Sequence, residues 1–275
     1  MTFSSKLSVT TAALAALGLA AAHPAAAQSV ITFGAAQNIA GDSDVLTDGI
    51  LVGAYSFAAA SNAAVNGVTF VTRGGGDNGG SNLQVTTFNK GVTGVYGRNA
   101  PPFNALSAGY QTILGSGLYR DSPATAPAYF DLSGLTAGNT YEVQFFVNDS
   151  RPGTGNRNET LTTGAGKFPN NFTASGDPSV TLNFNTTGAE GGLGQYVVGT
   201  FVADSTGTAS LAATGNISTQ VNAIQYRDLG APASAAPEPS QLAGLGLAAF
   251  GVLGLLFRAR KRTSISAAAP TVWGS

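Results

Sequence analysis

Four polar side chains crowd into ten residues at Asn148, Asp149, Arg151 and Arg157, directly after the alternating apolar stretch at 140–147. An amide, a carboxylate and two guanidinium groups suit a hydroxyl-rich ligand, because arginine offers a planar fork of donors and aspartate a charged acceptor. A competing reading pairs Asp149 with Arg151, or has the Asx residues cap their own loop. A sugar site also wants an aromatic face. The single tryptophan, Trp273, stands in the C-terminal tail, so Tyr110, Tyr119 or Tyr96 must supply that face, or else sit in the core with a hydroxyl at the rim.

A second group is acidic. Asp42, Asp44 and Asp48 lie close together on a Gly/Ser-bearing segment, and hard carboxylate oxygens at such spacing suit calcium. An EF-hand is not matched, since that loop wants glycine at its sixth position and a bidentate glutamate at its twelfth. Asp77, inside the glycine-rich run 74–80, is a further partner or merely a turn, and a solvated acidic loop accounts for all of these residues equally well. No cofactor other than calcium is implied. Two carboxylates about 5 to 9.5 Å apart would permit glycoside hydrolysis, and Asp149 with Glu159 or Glu142 are the pairs to consider. Neither pair has a sequence context that marks it as catalytic, so the chain reads as non-enzymatic.

Absences narrow the chemistry further. There is no cysteine, and the single histidine, His23, falls in the N-terminal leader described below. A Ser-His-Asp triad, a Cys-His pair and a usual zinc site are therefore closed to the mature chain. No disulfide can form, so stability must come from packing and sheet hydrogen bonds. Of thirteen Lys and Arg, five belong to the terminal segments, which leaves eight against fourteen acids and a mature charge near −6. The eight are scattered, with no basic stripe to neutralise phosphates, and nucleic acid is not expected as a partner.

The elements that must carry these groups are strands. Short β-branched and aromatic runs alternate with Gly, Ser, Thr, Asn and Asp, and helical periodicity is missing between the two ends. Strands are expected at 67–72, 128–132, 140–147, 179–185, 195–203, 208–213 and 220–227, separated by turn residues such as Ser133-Gly134 and Asp177-Pro178. Tyr141, Val143, Phe145 and Val147 share one face, as do Val180, Leu182 and Phe184. Seven or more short antiparallel strands predict an all-β sandwich occupying residues 28–230 as one domain with long loops.

Both ends read as addresses. Lys6 precedes an apolar stretch at 9–22, and Ala25 and Ala27 ahead of Gln28 satisfy the small-x-small rule for signal peptidase, which makes 1–27 a signal peptide. At the other end an Ala/Pro linker at 231–240 holds Pro237, Glu238 and Pro239. An uncharged apolar run follows at 242–257, about 24 Å long as a helix, then Arg258, Arg260, Lys261 and Arg262. The cations would hold that end in the cytoplasm. An ordinary tail anchor has the same parts. The order Pro-Glu-Pro, Gly/Leu/Ala helix, basic cluster over 236–262 resembles the PEP-CTERM sorting signal of bacterial envelope proteins. That resemblance implies a single transmembrane sorting helix within 241–262, processing by an exosortase near Pro-Glu-Pro, and transient anchoring in the inner membrane before release to the surface or extracellular matrix. The tail at 263–275 is longer than such signals carry. Five Asn-x-Ser/Thr sequons, at Asn148, Asn158, Asn171, Asn185 and Asn216, follow from the Asn/Ser/Thr-rich composition.

The segment from Phe130-Asp131-Leu132-Ser133-Gly134 through Tyr141 to Arg151, with Tyr196-Val197-Val198-Gly199-Thr200-Phe201 and Val221 to Arg227, resembles galactose-binding-like and malectin-like jelly rolls. Residues 39–70, including Val65-Asn66-Gly67-Val68, look like the opening half of the same module. The resemblance implies an antiparallel jelly-roll-like sandwich that adheres to exopolysaccharide or envelope glycans, or serves as a purely structural subunit; it supplies no catalytic residues.

Overall fold

The computed structural model describes residues 29–74, 82–120, 127–163 and 177–232. Ala25, Ala27, Gln28, the Pro-Glu-Pro motif, the apolar run and the basic cluster lie outside the described residues, as do Asp77 and Trp273. The chain divides into two units, 1–231 and 232–275, and every described strand and helix lies in the first.

In chain order the strands begin with β1 (Thr32–Phe33), β2 (Gln37–Asn38), β3 (Ile50–Phe57), β4 (Ala63–Val65) and β5 (Val68–Arg73). β6 (Leu83–Thr86) and β7 (Lys90–Val92) precede the short helix α1 (Ala108–Leu114), and β8 (Gly117–Arg120) follows it. Next come β9 (Ala128–Leu132), β10 (Thr140–Val147), β11 (Asn158–Thr163) and β12 (Ser179–Asn183). The series closes with β13 (Gln195–Val202), β14 (Ala209–Gly215), β15 (Thr219–Val221) and β16 (Ala223–Gly230). The largest sheet runs β1-β13-β10-β16-β3-β5-β4, with β2 also on β13. A second sheet runs β12-β11-β14-β9-β6, and a third, small one runs β15-β8-β7. The protein is all-β.

Period-two alternation explains how the two large sheets come together. On β10, Tyr141, Val143, Phe145 and Val147 point into a core shared with Phe130, Leu161, Phe184 and Leu211, all at most 2% exposed. Phe130 and Phe145 meet across it edge to face at 5.1 Å. Part of the opposite face of the large sheet is buried too. Ala54, Phe70, Phe146 and Ala223 pack with Tyr110, Ile113 and Leu114 of α1 in a second apolar cluster. Ser107 caps that helix by accepting the Tyr110 amide, and Gly115 closes it.

Several expectations are corrected here. The expected strand at 220–227 is two strands in different sheets, β15 and β16, parted at Asn222, whose amide group turns to the carbonyls of Leu114 and Ser116 at 2.8 and 2.7 Å. Not every pair is antiparallel: β3 and β5 run parallel, Tyr55 beside Val71. Helix α1 sits where no helix was expected. Its seven residues are too few to display helical periodicity, and it is held by tertiary packing. The hairpin β4–β5 turns at Asn66-Gly67, both with positive φ (48° and 76°), the conformation a two-residue hairpin needs.

Candidate functional site

The loop between β10 and β11 carries the four residues singled out first, and the fold treats them unequally. Asn148 is completely buried. Its backbone amide donates to Asn222 Oδ1 at 2.7 Å, its Oδ1 accepts from Gly194 N at 2.9 Å, and its Nδ2 donates to Ser150 Oγ at 3.1 Å. Gly194 is needed for this approach, because a Cβ there would collide with the Val147 carbonyl oxygen. Asn148 is therefore a joist of the loop and does not reach a ligand, which corrects its expected role. Asn185, also fully buried, accepts from the amides of Thr187 and Gly188 and donates to Ala189 O, so neither of these two sequons is open to solvent.

Asp149 is equally buried but charged, and it meets arginine. Arg151 donates from Nε to Oδ1 at 2.8 Å and from Nη2 to Oδ2 at 2.6 Å. Arg157 Nη1 stands 3.6 Å from the same Oδ2. The fold uses both alternatives read from the sequence: Asp149 pairs with the Arg151 guanidinium, and its Oδ1 also accepts the Arg151 backbone amide at 3.2 Å, capping its own loop. The Arg151 guanidinium also lies over the Tyr96 ring, 5.3 Å from its centroid. Hydrogen bonding to Asp149, against the opposing effect of burial, holds the Arg151 pKa above its ordinary value. Burial, reinforced by the Asp149 charge, raises Tyr96 well above the normal phenol range, so that ring stays neutral.

These groups line a concave pocket of about 350 Å³. Tyr96, Tyr119, Arg151 and Arg157 give its polar and aromatic surface, while Val92, Val95 and Ile217 give apolar walls. The small third sheet supplies Val92 from β7 and Tyr119 from β8, Tyr96 comes from the stretch between β7 and α1, and the arginines come from the β10–β11 loop. Tyr96 and Tyr119 were two of the three tyrosines considered from the sequence. Tyr110 is not at this site: it is fully buried on α1, where its hydroxyl donates to Asp44 Oδ2 at 3.3 Å. The valines and Ile217 were not foreseen, since nothing in the sequence separates an exposed valine at a pocket rim from one in a core.

A second carboxylate stands nearby in sequence but not in the pocket lining. Glu159, on β11, is fully buried with Oε2 accepting the Gln220 amide at 2.9 Å. Its Oε1 has no hydrogen-bond partner, and desolvation raises its pKa to about 8. Glu142 points to the other face of the large sheet, opposite Arg227 in register. Asp149 and Glu159 both keep their oxygens from solvent, and the pocket lining contains no carboxylate among the described residues.

The acidic segment is bound down in a different way. Asp44 Oδ2 accepts the amides of Ala40 and Gly41 at 2.8 and 3.0 Å, so it caps its own 3-10 turn. Gln144 Nε2 donates to the Asp44 carbonyl at 2.7 Å. Arg227 donates to the carbonyls of Thr47, Asp48 and Gly49, which places a guanidinium where the loop's inward oxygens converge. Asp42, Asp44 and Asp48 do not gather round a common point: among the described residues no group of three or more His, Cys, Asp or Glu is placed to hold a metal.

No family model matches the chain. No curated protein matches it either. Among solved structures it is similar to the enzymatically active domain of tailspike protein 4 of bacteriophage CBA120, at 14% identity and a TM-score of 0.29. The match covers 61% of this chain and 21% of that one, so the chain spans about a fifth of that protein's length. A likeness this slight bears on neither fold nor function.

Proposed function

We propose that the protein is an exported bacterial surface or extracellular-matrix protein whose non-catalytic, jelly-roll-like sandwich adheres to exopolysaccharide or envelope glycans. The observation that carries this reading is the pocket itself: half-open Tyr119, with Tyr96 only 3% exposed beneath Arg151, beside two guanidinium groups and three apolar side chains in one concavity. Sugars present an apolar C–H face and a rim of hydroxyls, and the pocket offers a partner for each. Export rests on the signal peptide at 1–27 and on the resemblance of 236–262 to a PEP-CTERM signal, with signal peptidase and an exosortase as processing partners and the inner membrane as a transient anchor. The arrangement around Asp149 favours adhesion over hydrolysis, because its buried carboxylate is held in a bidentate pair by Arg151.

The test is sedimentation of the full chain, in detergent, with extracted exopolysaccharide and insoluble glycans, with calcium and with chelator. Saturable binding that Tyr119→Ala and Ile217→Asp weaken supports the assigned pocket. Absence of binding under both conditions leaves a structural surface protein. A calcium requirement would bring Asp42, Asp44 and Asp48 back as ligands.

A further inference from the structure

The pocket holds an unbalanced charge. Two guanidinium groups face one carboxylate, and that carboxylate is fully buried behind them. Arg151 satisfies both Asp149 oxygens with a bidentate pair and rests on Tyr96, so its position is fixed. Arg157 is different. Its guanidinium reaches Asp149 only at 3.6 Å, beyond hydrogen-bonding distance, and its side chain donates to no other described group. Its side chain is 29% exposed and lines the pocket. A guanidinium that is only loosely paired and makes no hydrogen bond to a described group, held against apolar walls, is a receptor for a planar oxyanion.

We infer that the pocket selects acidic saccharides, with the carboxylate of a uronate-type sugar received by Arg157 while the ring's C–H face packs on Tyr119, Val95 and Ile217. This rests on the glycan reading above. The size of the charge decides between anions. One uncompensated cation matches a monoanionic carboxylate. A dianionic phosphate would leave negative charge unpaired in a pocket backed by buried Asp149, on a mature chain near −6 overall.

The experiment compares matched sugars that differ only in charge. Galacturonate and mannuronate oligomers, each beside its methyl ester, and the extracted exopolysaccharide beside its carboxyl-reduced form, are titrated against the full chain and against R157Q and R157K. The expected result is that the acidic form binds about tenfold more tightly than its neutral twin. Salt should erode that preference, R157Q should abolish it so that the acidic and neutral forms bind alike, and R157K should keep part of it. Equal binding of acidic and neutral forms overturns the inference and leaves the glycan reading standing. A preference that survives R157Q overturns the assignment to Arg157. No binding of any saccharide, charged or neutral, overturns both readings. Arg157 is partly exposed and its side chain makes no hydrogen bond to a described residue, so unfolding of R157Q is not expected, and a thermal melt alongside each titration verifies it.

Discussion

Arg151 closes a bidentate ion pair on Asp149 although only one residue separates them, and the carboxylate it closes on is wholly buried while the guanidinium is 29% exposed. The pair is the floor of the pocket and the hinge of its loop, since Asp149 N also donates to Phe184 O at 2.8 Å and Thr154 Oγ1 to Asp149 O at 2.8 Å.

Asp149→Asn should therefore act on both stability and binding. Removing the charge strands two guanidinium groups beside a buried amide, and the expected cost is about 2–3 kcal/mol in urea unfolding. A cost below about 0.5 kcal/mol, the range of an exposed pair, would mean the pair is ornamental.

Glu159 makes stability fall as pH rises. Its ordinary carboxyl value is 4.5, and burial lifts it to about 8 in the folded chain. Between those values the folded state holds a proton that the unfolded state has lost, so the slope is negative, up to about 1.4 kcal/mol per pH unit, and flattens above pH 8. In Glu159→Gln that segment of the slope should vanish. Because Asp204 and Asp228, both lowered by hydrogen bonds, act at lower pH in both proteins, the difference between the two stability curves isolates Glu159.

Tyr110→Phe should cost about 1 kcal/mol and leave glycan affinity unchanged. The hydroxyl donates to Asp44, whose Oδ2 keeps the amides of Ala40 and Gly41. A loss of binding in this variant would place the site on the wrong part of the molecule.

Arg227→Met should loosen residues 42–49. Three backbone carbonyls lose their donor at once, and amide hydrogen exchange at Leu46, which donates to Gln144 Oε1 at 3.2 Å, should quicken at least tenfold. Unchanged exchange there would mean that Gln144 and Gln225 hold the loop unaided.

Strand β10 was legible because its pattern is strict: four apolar side chains on alternate positions leave only one way to lie on a core. The break at Asn222 was not, since a single asparagine inside an apolar run looks like a tolerated polar residue until its partners, Leu114 and Ser116, more than a hundred residues away, are known. The Asn66-Gly67 hairpin had a local signal that marks such turns, and it passed as part of a longer resemblance. At the site, Arg151 and Arg157 could be named from the loop they occupy. That Tyr119 stays partly open while Tyr96 and Tyr110 are buried could not be read from sequence, because a tyrosine's exposure is decided by what packs over it. Here Phe146 of the large sheet packs on Tyr110, Arg151 lies over Tyr96, and the third sheet leaves Tyr119 half open.

Strand β10 also fixes which way the molecule faces. Gly230, where β16 ends, is in register with Thr140 at the start of β10, and Ser29 accepts the Asp204 amide just past the neighbouring end of β13. The described part of this unit thus begins and ends at one pole. The arginines follow Val147 at the other, roughly 24 Å further along. A label or surface attached at either described end would therefore leave the pocket unobstructed, and copies immobilised in that way would offer their pockets side by side to one long polymer.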